Sequence, residues 1–260
     1  MQFMDSRIHA LIRMHRLAVG IATFVFTAAL AATIATGAAI AKPVVLGAAA
    51  PATPACPGDP CEAIGRTTGF QTMLGKKKNP FAAPSAGRVV AWSIKLSAPT
   101  ASQTDFFTEF FGGPPRARLS VLKPINKQIK RGKPFYKLKS QGPVEELTPW
   151  LGTTTTFTLQ QPLTVAEGQI VALTVPTWAP AFAVNLGEEM VWRGSRKKGK
   201  CTTREDIKAG RPHETPGQER LYGCSYKTAR LLYSATLVPS AAPPKKKKKP
   251  PADADRPQRQ

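Results

Sequence analysis

The chain has 260 residues, 37 Lys+Arg against 16 Asp+Glu, a formal net charge of +21, 25 prolines and 20 glycines. That length supports one domain with a real core, while prolines spread throughout exclude a long-helix protein. HExxH, G-x-S-x-G and phosphate-cradling glycine motifs are all missing, which argues against His-bound zinc peptidases and serine hydrolases.

Residues 1–41 read as an export signal. Arg7, Arg13 and Arg16 precede an uncharged stretch from Leu17 to Ile40, and Ala39-Ile40-Ala41 is a small-x-small cleavage pattern. Uncut, residues 17–40 are long enough to anchor the protein in a bilayer. Either way the arginines favour the cytoplasmic side and the remainder lies outside. A second candidate cut follows Ala48-Ala49-Ala50. Residues 42–55, rich in Ala and Pro, read as a linker.

A folded domain is expected over 56–240. All four cysteines, Cys56, Cys61, Cys201 and Cys224, lie beyond the leader, and an even count in an exported chain reads as disulfides. The preferred pairing is Cys56–Cys61, closing a Pro/Gly turn, and Cys201–Cys224, stapling a long polar loop. The rival, a four-thiolate zinc site, lacks the paired short knuckles of zinc ribbons, so neither metal nor cofactor is expected.

From there the dominant period is two. Val90, Trp92, Ile94 and Leu96 share one face of a strand; Ala117, Leu119 and Val121 do the same, as do Tyr136 and Leu138. Phe157 and Leu159 follow a threonine run, and residues 168–175 are apolar on both faces, as in a central strand covered on two sides. Phe182–Leu186 and Leu231–Val238 make further strands, with weaker ones near 67–73, 190–193 and 221–226. Ser102 to Phe111 reads as one short helix, capped by Ser102 with Asp105 and ended by Gly112-Gly113. Its four phenylalanines read as a plug over one end of the core. The expected fold is all-β: a single jelly-roll-like β-sandwich of about nine or ten strands with one short helix.

Charge is concentrated. Arg116, Arg118, Lys123, Lys127, Lys130, Arg131, Lys133, Lys137 and Lys139 lie in an acid-free stretch, and Arg193, Arg196, Lys197, Lys198 and Lys200 form a second run. Residues 241–260 read as a disordered cationic tail, with Lys245, Lys246, Lys247, Lys248 and Lys249 between prolines. Such a field attracts polyanions: anionic wall polymer, polysaccharide or lipid headgroups. The leader argues against intracellular nucleic-acid work.

Catalytic residues are not assigned. His213, the one histidine beyond the leader, lies in a polar loop and reads as solvated. Glu145-Glu146 and Glu188-Glu189, together with Asp105 and Glu109, keep open a carbohydrate-active enzyme working with two acids. Trp150 and Trp178, in proline-flanked turns, are candidate ligand-stacking residues. The expected function is therefore an exported, non-catalytic protein that binds polyanionic cell-surface or wall material through the 116–139 face and the lysine tail. The alternatives are a structural wall-associated module without a specific ligand, and the carbohydrate-active enzyme.

Overall fold

The computed structural model describes residues 42–240. The expected leader (1–41, with its anchor segment 17–40) and tail (241–260, with Lys245 to Lys249) lie outside the described residues. Within them the protein is of the all-β class, mostly strands in antiparallel sheets with few short helices. In chain order the elements are β1 (Val44–Leu46), β2 (Ile64–Leu74), β3 (Lys77–Lys78), β4 (Gly87–Lys95), α1 (Ala101–Phe111), β5 (Arg116–Pro124), α2 (Asn126–Ile129), β6 (Phe135–Gln141) and β7 (Glu145–Glu146). After a 3-10 turn at Thr148–Trp150 come β8 (Thr154–Val165), β9 (Ile170–Ala179), β10 (Phe182–Ala183), β11 (Met190–Gly194), α3 (Arg204–Lys208), β12 (Glu219–Leu221), β13 (Cys224–Tyr226), β14 (Arg230–Leu231) and β15 (Tyr233–Pro239).

One sheet runs β1-β15-β4-β8. A larger one runs β12-β6-β5-β9-β2-β11-β13, with β3 pairing with β2 and β7 with β5, and β10 pairs with β14. One buried cluster takes side chains from both sheets: Val89, Trp92, Ile94, Leu163 and Leu237 from the first, and Leu119, Val121, Leu138, Val171 and Leu173 from the second. β9 lies mid-sheet and is buried along almost its whole length, as its two apolar faces require.

The period of two holds with one shift. Val89, not Val90, faces the core, because a bulge between Val89 and Ala91 inserts one residue and turns the pleat over. The helix is also displaced. Thr100, not Ser102, is its N-cap: the Thr100 hydroxyl accepts from the Gln103 amide, and the Gln103 side chain accepts from the Thr100 N–H. Glutamine at the third position reaches back to the cap amide, which the shorter Asp105 does not do from Ser102. Gly112, in the left-handed region at φ 74°, ends the helix. Two single-turn helices, α2 and α3, accompany it where one helix was expected. Phe107 and Phe111 pack with Cys56 and Trp178 in a satellite cluster, half-buried Phe110 packs against it, and Phe106 is exposed, so three of the aromatic quartet pack inward, in a cluster apart from the main core.

The Ala/Pro segment expected as a linker is laid onto the domain. Val44–Leu46 pairs with Ala235–Leu237 as β1, and Leu46 is core. Lys95 and Arg230 donate to the Ala52 and Ala50 carbonyls at 3.0 and 2.6 Å. Three residues are too few to show a period, and their partner strand is nearly two hundred residues away.

Both expected disulfides are present, Cys56–Cys61 and Cys201–Cys224, and they consume every thiol that a zinc site would need. Two disulfides point to an oxidising, extracytoplasmic environment. Among the described residues no helix is long and apolar enough to cross a membrane.

Candidate anion-binding surface

The acid-free stretch 116–139 is the antiparallel hairpin β5–α2–β6, and alternation sorts its side chains. Leu119, Val121, Leu122, Tyr136 and Leu138 go inward. Lys123 and Lys139 point to water and Lys137 is half-buried. The connection is a compact turn, with Lys130 N–H donating to the Asn126 carbonyl, Gly132 N–H to Ile129 and Lys133 N–H to Gln128. Lys127, Lys130, Arg131 and Lys133 are all exposed on it.

Among the described residues, acids from elsewhere form ion pairs only at the base of this hairpin. Arg116 meets Glu146 at 3.8 Å and Arg118 meets Glu214 at 2.8 Å. The other seven cations of the stretch form no ion pair among the described residues. Lys123 stands directly opposite Lys137 across β5 and β6, with Glu219 facing Lys137 from the other side. Like charges opposed across a ladder repel, and Glu219 opposite Lys137 offsets part of that repulsion.

The second basic run splits on folding. Lys197, Lys198 and Lys200 are exposed, but Arg196 is only 6% exposed. Its guanidinium donates to the Tyr226 hydroxyl at 2.9 Å and to the Gly65 carbonyl, and its Nε–H meets no acceptor. Arg196, Lys197, Lys200, Arg211 and Arg220 share a cavity of about 640 Å3 with Phe135, Leu221 and the acids Glu205, Asp206 and Glu219. Asp206 is tied to Lys200 at 3.4 Å. A smaller cleft of about 290 Å3 adjoins it and shares Gly210, Arg211 and Arg220; Arg66, Gln218 and Glu214 complete its walls. Gly210 is required at this junction, since a Cβ there would stand 2.7 Å from the Arg66 carbonyl oxygen.

His213 is fully buried, contrary to the solvated loop residue expected. Its Nε2 lies 3.0 Å from the Gln218 carbonyl, so Nε2 carries the proton and Nδ1 accepts from the Tyr222 hydroxyl at 3.2 Å. Its backbone N–H donates to Thr68 Oγ1, which joins Thr174, Ser120 and Gln141 in a buried chain of hydrogen bonds linking β2, β9, β5 and β6. Burial first, and then the nearby Arg220 charge, hold the imidazole well below its ordinary value, at about 4. The residue is therefore a neutral structural post for the 211–222 loop.

Trp178 is also fully buried, at the end of β9, where its indole N–H donates to the Gly113 carbonyl at 3.1 Å. It offers no ring face to a ligand, because the strand runs on through Pro176 rather than turning there. Trp150 stays 42% exposed, edge-on to Phe157. Glu146 is engaged with Arg116 and Glu188 with Lys227, both at the surface, and Asp105 and Glu109 are exposed on α1.

Arg66, Arg211 and Arg220 were not singled out by sequence reading. They are scattered single arginines, and only the fold gathers them. Comparison with known protein families, with curated proteins and with solved structures finds no match to this chain.

Proposed function

We propose that this is an exported, jelly-roll-like β-sandwich that binds polyanionic cell-surface or wall material through its basic hairpin and lysine tail, without catalysing a reaction. One observation carries the reading: seven cations of the 116–139 hairpin form no ion pair among the described residues, and four of them crowd its exposed turn. Unpaired surface cations condense on polyanions and release counterions, so affinity falls steeply with salt.

The test is retention on heparin resin and on isolated wall material across a salt gradient. The protein is expected to elute at moderate salt, and the variant K127Q/K130Q/R131Q/K133Q to elute much earlier. Retention that survives concentrated salt unchanged, or that the quadruple variant leaves intact, defeats the proposal.

Export is part of the same reading, and β1 supports the earlier of the two cleavage sites. A cut after Ala41 preserves β1 and Leu46, whereas a cut after Ala50 removes an edge strand and a core side chain. Mass spectrometry of the N-terminus is expected to find Lys42 first, or an intact leader serving as an anchor.

The carbohydrate-active alternative is favoured by the lining of the larger cavity, where Glu205, Asp206 and Glu219 replace the acid pairs expected from sequence. It requires turnover of an isolated wall polysaccharide that is lost in E205Q, D206N or E219Q.

A further inference from the structure

We infer that the cleft lined by Arg66, Arg211 and Arg220 is a discrete subsite for a single tetrahedral oxyanion, a phosphate or sulfate group carried by the polyanion. The inference rests on the polyanion reading and deepens it.

Three arginines and one carboxylate, Glu214, line the cleft, and that carboxylate already accepts from Arg118 at 2.8 Å. Positive charge is thus in excess around a half-enclosed space. Its volume of about 290 Å3 lies just below the range of about 300–1,000 Å3 for small-molecule sites, so it suits one charged unit and not an extended ligand.

The guanidinium capacity is only partly used. The Nε–H of Arg66 is buried and meets no acceptor, a situation folded proteins rarely leave unresolved. Arg220 donates through Nη1 to the Arg211 and Pro212 carbonyls, at 2.7 Å each, which fixes the plane of its fork. A planar guanidinium held in place is suited to paired hydrogen bonds with an oxyanion, which an ammonium group cannot copy.

Arg66 reaches the cleft from an unusual backbone. It sits in the left-handed region at φ 45°, at the bulge between Gly65 and Thr67 on β2. Bulges re-aim side chains, and non-glycine residues in that region mark sites where the surrounding structure imposes the conformation. Glu214, on the cleft wall, competes with an entering anion for the cleft's positive charge, although its own hydrogen bond goes to Arg118.

The test is titration of the purified protein with inorganic phosphate and, separately, inorganic sulfate at physiological salt. Calorimetry gives affinity, and arginine Nε NMR signals report the site. One saturable site is expected, with shifts at Arg66 and Arg220. Arg66→Lys and Arg220→Lys should each weaken it about tenfold or more, although both keep their charge. Glu214→Gln should tighten it several-fold by removing the competitor, a gain that loss of folding cannot imitate. The hairpin variant K127Q/K130Q/R131Q/K133Q should bind phosphate as before. Stronger binding of phosphate than sulfate, or the reverse, identifies which polymer chemistry the site reads. Non-saturable binding, equal binding by the lysine variants, or no gain in Glu214→Gln overturns the inference. Heparin retention without a phosphate site sinks the subsite alone. A phosphate site without polymer retention sinks the surface reading alone.

Discussion

At the β5–β6 turn, Lys127, Lys130, Arg131 and Lys133 stand in water with no acid beside them. In the 211–220 loop, Arg211 and Arg220 line a cleft, Arg220 is strapped to backbone carbonyls, and the buried imidazole of His213 props the loop from beneath. Charge of one sign thus occurs in two settings. The lysines present a diffuse field that any polyanion feels and that salt screens. Arg220 presents an oriented donor whose direction backbone carbonyls have fixed, which is a condition for selectivity and not merely for attraction.

The sharpest way to separate the two regions is to loosen one. The Cys201–Cys224 disulfide ties the segment leading into α3 to β13. Replacing both cysteines by serine should cost about 3–4 kcal/mol of stability on the chain-entropy model. Under conditions where the variant is still folded, phosphate binding should suffer and heparin retention persist. Equal loss of both would merge the regions into one.

Acid breaks the comparison next. His213 is neutral in the native state with its value lowered to about 4, against an ordinary 6.5. A lowered histidine supports the fold above about pH 6.5, and that support is lost as pH falls toward 4, amounting to about 3 kcal/mol. Denaturant midpoints at pH 7 and pH 4 should show this loss, and His213→Gln should flatten it. The hairpin turn, which lacks a histidine, should keep its polymer binding over the same range wherever the protein remains folded.

Single-site changes give smaller effects. Lys130→Gln should weaken polymer binding by about 1 kcal/mol at low salt and lower the salt slope by roughly one. Trp150→Ala should change stability by no more than about 0.5 kcal/mol, as expected of an exposed position. If it nevertheless weakens polysaccharide binding, that ring stacks on a sugar and a third contact region exists.

What was legible in the sequence was whatever repeats locally. Leu119 and Val121 announce their strand by alternation, and β9 announces its central place by being apolar on both faces. Cys56 and Cys61 enclose their own turn. What stayed hidden depends on distant partners. His213 lies in a polar loop by composition, yet Thr68, 145 residues away, accepts its backbone N–H, and Tyr222, which the loop itself brings back, meets its ring. Trp178 looks like a turn residue because Pro176 precedes it, but the strand continues past that proline. The arginine cleft is the extreme case, since Arg66 and Arg220 lie more than 150 residues apart in sequence and share nothing until β2 and the 211–220 loop meet.

The pairing of β1 with β15 joins the first described strand to the last. Neither can be completed alone, so β4 and β15 gain their full set of neighbours only when the whole domain has been delivered. A chain exported as proposed, threaded N-terminus first through a translocation channel, would emerge unable to close its smaller sheet until residue 239 had followed. Such non-local closure is slow to form, and it leaves strand edges uncovered throughout the wait. That interval is when holdases and disulfide-forming catalysts would have most to do for this protein.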